Sequence, residues 1–265
     1  MTERKKLTVS EILANKGKRQ YTEVKTQTVD EARICADAGI DIICARGGDL
    51  GRGVRSVAPD TFIIMAIPYG DCVNADEAVR KGFELLNTGA DAVYACISPD
   101  WVAAMSKQGI PVIGHVGFVP QKLTWFGGYR AVGKTAAEAL EVYHDTMAFQ
   151  DAGAFGVELE VVPHQVATEI TKRAKNMAVI SMGAGSGCDI QYLFACDILG
   201  SHRGHYPRHA KTYCDLASEQ DRLHTLSVAA MHTFHAEVQS NEFPAANNII
   251  EADPEQLEAF LRGLD

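Results

Sequence analysis

Apolar runs alternate with segments of helical periodicity along most of this chain. A helix that ends near glycine is repeatedly followed by an apolar run, as where Asp37-Ala-Gly-Ile precedes Asp41-Ile-Ile-Cys44. Glycine after a helix adopts the left-handed conformation that a Cβ disfavours. Apolar runs without polar alternation suit strands that are buried on both faces, as in a parallel sheet. The pattern therefore predicts a series of strand–helix units.

Helix starts are marked by capping-box spacing at Thr28–Glu31 and Thr135–Glu138. Strands are predicted near 21–25, 40–46, 62–67, 91–97, 111–115, 155–160, 177–182 and 196–200. Helices are predicted near 29–38, 75–88, 99–108, 135–152, 163–175 and 186–194. More helix is expected after about residue 205, with a long helix near 219–240 and a short one around Glu255–Leu261.

Eight strands that alternate with helices predict an α/β fold of the (β/α)8 TIM-barrel type, and a doubly wound open sheet is the alternative. The 265 residues fit one barrel domain, 1–265. The segment between Cys44 and Phe62 leaves no room for an ordinary amphipathic helix, so the second crossover is expected to be short or irregular. C-terminal helices follow the barrel. The tail, 241–265, is expected to leave the barrel and could pack on a neighbouring subunit.

Composition narrows the class of protein. Hydrophobic residues make up 46% and charged residues 22% of the chain, which excludes a disordered protein. The net charge of −9 argues against nucleic acid or an anionic membrane as the partner. The N-terminus has no apolar run typical of a signal peptide or membrane anchor. Seven cysteines without a CxxC pair suggest reduced thiols and a cytoplasmic protein.

Two residues at predicted strand ends are the candidate catalytic groups, because active sites of this fold lie at the carboxyl ends of the strands. Glu160 ends the sixth strand, and alternation points it the same way as Glu158. Desolvation there would raise a carboxyl pKa and suit a general base or acid. Alternatively, the two carboxyl groups could have a structural role and accept hydrogen bonds from Lys, Arg or backbone donors. His115, at the end of the fifth strand, could bind a substrate oxygen or transfer a proton, or could be structural.

Further candidates bind substrate. The Gly183–Gly187 loop is expected to open a helix, so the amides around Gly183, Gly185 and Ser186 could bind an anion. Cys96 lies at the end of the predicted fourth strand and would be a nucleophile if its pKa were lowered, although a buried inert thiol is the common case.

Several ordered motifs resemble one family, ketopantoate hydroxymethyltransferase, within the phosphoenolpyruvate mutase/isocitrate lyase superfamily of barrels. The matching segments are 111–121, 126–133, 159–163, 181–187, 196–200 and 204–211. The resemblance implies enolisation of a small 2-oxo acid, 3-methyl-2-oxobutanoate, and transfer of one carbon from methylenetetrahydrofolate in pantothenate biosynthesis. It implies Mg²⁺ as cofactor and a homo-oligomer, commonly a decamer. It maps the family's strand-six glutamate to Glu160 and its strand-five histidine to His115.

The first half departs from the family pattern. The metal-ligand positions of the family are occupied by Gly47, Ala66 and Cys96, and its strand-four lysine is Tyr94. Mg²⁺ prefers oxygen ligands, so Asp49 and Asp71 are the candidate replacements. Arg46 or Lys25 could instead bind the substrate and supply positive charge to a developing enolate.

Three functions remain open on these residues. The first is a hydroxymethyltransferase-like enzyme that makes or breaks a carbon–carbon bond through an enolate. The second is a divergent metal-independent lyase or hydrolase of the same barrel superfamily. The third is a non-catalytic paralogue that binds a metabolite or a partner.

Overall fold

Eight parallel strands close into a barrel in the computed structural model, which describes residues 5–264. The strands are β1 (Tyr21–Lys25), β2 (Ile42–Arg46), β3 (Phe62–Ala66), β4 (Ala92–Tyr94), β5 (Val112–Gly117), β6 (Gly156–Glu160), β7 (Ala178–Met182) and β8 (Ile190–Phe194). β1 pairs with β8 along its whole length, from Tyr21 opposite Ile190 to Lys25 opposite Phe194. This pairing confirms the barrel and excludes the open sheet.

Helices connect the strands and follow the last one. They are α1 (Val9–Ala14), α2 (Val29–Asp37), α3 (Asp49–Val57), α4 (Ala75–Thr88), α5 (Pro99–Lys107), α6 (Leu123–Phe126), α7 (Ala136–Asp151), α8 (His164–Arg173), α9 (Ala195–Leu199), α10 (Leu216–Ser240) and α11 (Pro254–Arg262). Both predicted capping boxes begin helices as expected: the Thr28 and Thr135 side chains accept hydrogen bonds from the backbone of Glu31 and Glu138.

The chain divides into two compact units, Met1–Cys214 and Asp215–Asp265. The first contains the barrel. The second contains α10, a 3₁₀ turn at Ala246–Asn248 and α11, which confirms the helices expected near 219–240 and 255–261. The single domain and a tail on a neighbouring subunit stay predictions. Among the described helices, none is both long and apolar enough to cross a membrane.

The sequence-based prediction for the last barrel unit was wrong. Residues 186–194 were expected to form a helix and 196–200 a strand, but Ile190–Phe194 is β8 and Ala195–Leu199 is α9. Ile190 and Tyr192 alternate toward the barrel interior and are buried there. The β7–β8 connection therefore contains no helix, and the strand is held by pairing with β7 and β1.

The second crossover is short, as expected, but it is a regular helix. α3 spans nine residues, so the expectation that no amphipathic helix fits was wrong. Its glycines permit close packing: a Cβ on Gly51 would lie 2.7 Å from Met65 Sδ, and one on Gly53 would lie 2.6 Å from Val29 Cγ2. Tertiary contact here overrides the low helix propensity of glycine.

The barrel interior is filled from its amino-terminal end. α1 places Ile12, 2% exposed, in the interior cluster that also contains Tyr21 and Phe62. A separate apolar layer lies between the strands and the outer helices. Toward the carboxyl ends of the strands the interior becomes polar, with buried Glu23, His115 and Glu158. The polar half of the interior is where chemistry is expected in this fold.

Candidate active site

Inward-facing residues of four strands meet in the polar half of the barrel. The exposed fractions of Glu23, His115 and Glu158 are 3%, 7% and 4%. The pairing of β5 with β6 sets His115 opposite Glu158, and Gly117 opposite Glu160. Side chains two residues apart on a strand share a face, so Glu158 and Glu160 both point inward.

His115 is held on both ring nitrogens. Its Nδ1 lies 2.6 Å from the Tyr94 hydroxyl oxygen. Its Nε2 lies 3.1 Å from Glu160 Oε2 and 3.1 Å from the carbonyl oxygen of Phe118. A carboxylate and a carbonyl oxygen only accept hydrogen bonds, so Nε2 carries a proton. The structure thus brings together the two residues that the sequence predicted to be catalytic.

The charges around His115 favour its imidazolium form. Burial by itself lowers the pKa of His115, but the Glu158 carboxylate, together with Cys96 and Glu160, raises it to about 10. Burial raises the pKa of Glu158, an effect that His115 and Tyr94 oppose. A buried cation between two carboxyl groups is the electrostatic centre of the site.

Glu23 is a second buried carboxyl group, and its Oε2 has no hydrogen-bond partner among the described residues. Burial raises its pKa well above the usual range, and nearby Glu158 adds to the rise while Lys25 opposes it. Burial therefore favours the neutral, protonated form of Glu23. The sequence analysis placed Glu23 on the first strand but assigned it no role. Its spacing of two residues from Lys25 could have indicated that both side chains face the interior.

Tyr192 is the other interior residue without a sequence-based prediction. It lies on β8, 6% exposed, in the interior cluster. It was missed because a helix was expected there. The alternation of large apolar residues in Ile190–Phe194 was the available signal.

A cavity of about 750 Å³ opens at the carboxyl ends of β1, β2 and β3. It is lined by Lys25, Thr26, Gln27, Arg46, Gly47, Gly48, Leu50, Pro68, Asp71, Lys81 and Leu85. The predicted substrate-binding residues Lys25 and Arg46 therefore share one cavity. Three cationic side chains against one carboxylate suit a small anionic substrate.

Asp49 does not take part in this cavity. Its side chain is 96% exposed and pairs with Arg52 one turn along α3. Asp71 does line the cavity. Neither aspartate belongs to a group of three possible metal ligands within 4.8 Å among the described residues. The two aspartates do not form the predicted metal site.

The glycine loop also differs from its prediction. No helix begins in it, so the proposed anion site at a helix N-terminus does not form. Gln20, which directly precedes β1, donates from Nε2 to the carbonyl oxygens of Ser186 at 2.9 Å and Cys188 at 2.8 Å. Ser186 therefore lies at the amino-terminal end of the barrel, away from the site, since the loop must return there before β8.

The two glycines of that loop lie nearer the end of β7. Gly183 directly follows the strand, and a Cβ on it would lie 2.8 Å from the His209 ring. The Gly185 carbonyl oxygen accepts from Gln191 Nε2 at 3.0 Å. Substrate binding by Gly183 and Gly185 stays a prediction.

Cys96 lies beside the histidine. Its Sγ is 3.7 Å from His115 Nδ1 and 3.4 Å from Gln121 Oε1. The thiol therefore borders the site, as the strand-end position predicted, and its reactivity stays a prediction.

The side chains present do not fit the Mg²⁺ that the family resemblance implies. The expected ligand positions hold Gly47 and Ala66, which have no side-chain donor atoms, and the Cys96 thiol. Mg²⁺ requires near-octahedral oxygen coordination. His115, Glu158 and Glu160 lie within 4.8 Å of one another, but the histidine already donates to Glu160 and contacts the Tyr94 hydroxyl through Nδ1. The donor chemistry at the mouth is cationic rather than anionic.

Cys196, Asp197 and His202 form another close group. His202 Nδ1 accepts from the Gly204 amide at 3.0 Å, and Nε2 lies 2.9 Å from Asp197 Oδ1. Both ring nitrogens are engaged, so the group is an internal hydrogen-bonded pair rather than a metal centre.

Gly117 fixes the backbone that positions Glu160. Its φ is +87°, and a Cβ there would lie 2.5 Å from the Glu160 carbonyl oxygen. We expect Gly117→Ala to lower the free energy of unfolding by roughly 2 kcal/mol. Gly109→Ala is the matched control, because Gly109 has φ +78° with nothing within 4 Å of the added Cβ. Urea denaturation measures both; equal losses would show that the contact with Glu160 has no effect.

Comparison with known proteins identifies close relatives. The family model of ketopantoate hydroxymethyltransferase matches residues 49–246. The 3-methyl-2-oxobutanoate hydroxymethyltransferase of Cenarchaeum symbiosum is 34% identical over 229 residues, which cover 84% of this chain and 82% of the relative. The enzyme of the same name from Deinococcus radiodurans is 37% identical over 75% of this chain and 69% of its own length.

Solved structures confirm the fold. A crystal structure of 2,3-dimethylmalate lyase, a member of the PEP mutase/isocitrate lyase superfamily, covers 95% of this chain and 94% of its own, with a TM-score of 0.52 at 17% identity. A putative lyase/mutase from Burkholderia cenocepacia covers 73% of this chain and 84% of its own, with a TM-score of 0.54 at 12% identity. At these identities the likeness concerns architecture alone.

Proposed function

Because this chain belongs to the ketopantoate hydroxymethyltransferase family, we propose that it enolises a small 2-oxo acid, 3-methyl-2-oxobutanoate or a close relative, and forms a carbon–carbon bond at C3. The observation that carries the proposal is the contact of Glu160 with the His115 imidazolium at 3.1 Å. It places a partly exposed carboxylate beside a buried cation, at the end of the barrel that carries catalytic groups in this fold.

Glu160 is the general base. Its side chain is 17% exposed, whereas the side chain of His115 is 3% exposed, so the carboxylate is the member of the pair that reaches substrate. It removes the proton from C3 of the 2-oxo acid while the electron pair of the C3–H bond moves toward C2. A positioned base contributes roughly 10²–10⁴ in rate.

His115 is a positioning residue for Glu160. The Nε2 proton holds one carboxylate oxygen in place, and the fixed contact of Nδ1 with Tyr94 prevents ring rotation. The sequence suggested direct proton transfer by this histidine; its burial favours an action through Glu160.

Lys25 and Arg46 bind the substrate and supply positive charge next to C2, toward which the electron pair of the C3–H bond moves. Both line the mouth cavity. Preorganised cations stabilise electron density that develops beside them in the transition state. They take the place of Mg²⁺, for which the residues at the family ligand positions supply no oxygen donors. Methylenetetrahydrofolate as one-carbon donor, a homo-oligomeric assembly and a cytoplasmic location are part of this proposal.

The test is deuterium exchange at C3 of 3-methyl-2-oxobutanoate in D₂O, followed by NMR. We expect exchange that persists in EDTA to within roughly a factor of two, since cations rather than a metal stabilise the enolate. Exchange that requires added Mg²⁺ would contradict the role of Lys25 and Arg46. No exchange with or without Mg²⁺ would overturn the proposed function.

A second candidate is a metal-independent carbon–carbon lyase. The observation that favours it is the Cys96 thiol beside His115, 3.7 Å from Nδ1, at a position where the family has a glutamate. A lyase would cleave the C2–C3 bond of a 2-hydroxy diacid without folate: the C2 hydroxyl loses its proton and becomes the product's carbonyl, and C3 takes up a proton. Product analysis with such a diacid, compared between the native protein and Cys96→Ser, separates the two candidates.

A further inference from the structure

Lys25 differs from the other lysine at the mouth in its surroundings. Its Nζ lies 3.8 Å from Cys44 Sγ, and no carboxylate of the described residues lies within 4 Å of it. Lys81, which lines the same cavity, is paired with Glu84 at 3.1 Å, and this hydrogen bond raises the pKa of Lys81. A lysine that is locked in an ion pair is a poor nucleophile, whereas an unpaired inward-facing amine is free to react.

An acid lies on the same strand face as this amine. Glu23 precedes Lys25 by two residues, so both side chains point into the barrel. Glu23 Oε2 is buried without a hydrogen-bond partner, and burial raises the pKa of Glu23 well above its usual range. A buried carboxyl group whose protonated form is favoured can donate that proton to a departing oxygen. The interior thus combines an amine, a carboxylic acid and, on β6, a carboxylate base.

Resting on the function proposed above, we propose that Lys25 forms an imine with the C2 carbonyl of the 2-oxo acid. The substrate class is thereby a 2-oxo acid with a free C2 ketone that an amine can attack. The imine nitrogen replaces the metal ion as the electron acceptor. This role explains why the site has cationic side chains and no side-chain oxygen at Gly47 and Ala66.

The step balances with groups that the site contains. The Lys25 ammonium releases one proton to water, and the neutral amine attacks C2. A proton moves from nitrogen to the former carbonyl oxygen, which gives the carbinolamine. Glu23 donates its proton, the hydroxyl leaves as water, and a C=N iminium remains beside the Glu23 carboxylate. The iminium withdraws the electron pair of the C3–H bond as Glu160 takes that proton. Hydrolysis after bond formation returns water to C2 and frees Lys25.

Borohydride trapping tests the imine. The full-length protein is incubated with 3-methyl-2-oxobutanoate and sodium borohydride, and its intact mass is measured. We expect a gain equal to the mass of the 2-oxo acid less one oxygen, because hydride reduces C=N to a secondary amine. Peptide mapping is expected to locate the addition on Lys25. No addition, or addition on Lys81 or another lysine instead, would overturn the inference.

Matched variants separate covalent from electrostatic action. Lys25→Arg keeps the positive charge but cannot form the imine, so we expect no adduct and a loss of C3 exchange of at least a hundredfold. Lys107→Arg, at the exposed end of α5, is expected to give the full adduct. Exchange by Lys25→Arg at the rate of the native protein would show that the lysine acts only by its charge.

The outcomes distinguish the two proposals. Exchange without any adduct leaves the proposed function intact and refutes the imine. An adduct on Lys25 without exchange supports the imine and refutes enolisation. Glu23→Gln is expected to slow adduct formation at least tenfold relative to Glu169→Gln, an exposed glutamate on α8. Equal rates in these two variants would remove Glu23 from the mechanism.

Discussion

Replacing Glu160 with glutamine is expected to lower the rate of C3 exchange by roughly a thousandfold. The amide has nearly the shape of the carboxylate, and its oxygen can still accept the hydrogen bond that His115 Nε2 now donates at 3.1 Å. It cannot take up a proton from carbon. The loss should therefore appear in the rate of exchange with little change in substrate affinity.

Glu169→Gln is the control for this substitution. Glu169 lies on the outer face of α8, 54% exposed, and pairs with Lys172 and Arg173. The Glu169→Gln substitution removes one carboxylate from the protein without changing the barrel interior, so the rate of C3 exchange should be unchanged. If Glu160→Gln exchanged as fast as Glu169→Gln, another group would be the base, and Glu158 would be the next candidate.

Replacing His115 with glutamine is expected to lower the free energy of unfolding by about 3 kcal/mol near neutral pH. The substitution leaves Glu158 and Glu160 in the interior without the cation between them. When one member of a buried group of charges is removed, the remaining charges stay desolvated without compensation, which lowers the stability of the folded protein. Adding Glu158→Gln should recover part of the loss, because it removes the repulsion between the two carboxyl groups.

The pH dependence of this effect follows from the raised pKa of His115, about 10 in the folded protein. An unfolded histidine titrates near pH ~6.5. The imidazolium therefore contributes its full stabilisation below that value and loses it as the pH rises through the folded pKa. The difference in unfolding free energy between the native protein and His115→Gln should be largest near pH 6 and small above about pH 10.

Urea denaturation at several pH values measures this difference. The carboxyl groups Glu23 and Glu158 also have raised pKa values, so both proteins should lose stability at high pH, and only the difference reports on His115. A difference that stays constant between pH 6 and 10 would show that His115 is neutral in the folded protein.

Local pattern was sufficient to predict most of the barrel. Glycine after α2, α4, α5 and α7 and apolar runs without alternation indicated the first seven strands and the main helices, because both signals arise within about 15 residues. The same pattern placed His115 and Glu160 at strand ends, and parallel strands of one barrel bring their carboxyl ends to one side. The pairing of those two residues was therefore predictable in outline.

The sequence-based predictions were wrong where contacts between residues distant in sequence decide the local structure. The segment between Cys44 and Phe62 was expected to have no room for an ordinary helix, yet it forms α3, whose glycines Gly51 and Gly53 pack closely against Met65 and Val29. Asp49 was expected to replace a metal ligand of the family, but the turn of α3 directs its side chain to solvent. Ser186 was expected at the mouth, but the return to β8 takes it to the opposite end of the barrel.

The sequence by itself determined the α/β class, the order of the first seven strands and the chemical types available at the strand ends, because these depend on neighbouring residues and on the period of side-chain alternation. Only the tertiary structure decided the ionisation of the site. Closure of β1 against β8 buries Glu23 beside Lys25 and near Glu158, and the register of β5 on β6 sets His115 beside Glu158 and Glu160. The proton affinities of these groups depend on desolvation and on charges from strands far apart in sequence, which no local pattern contains.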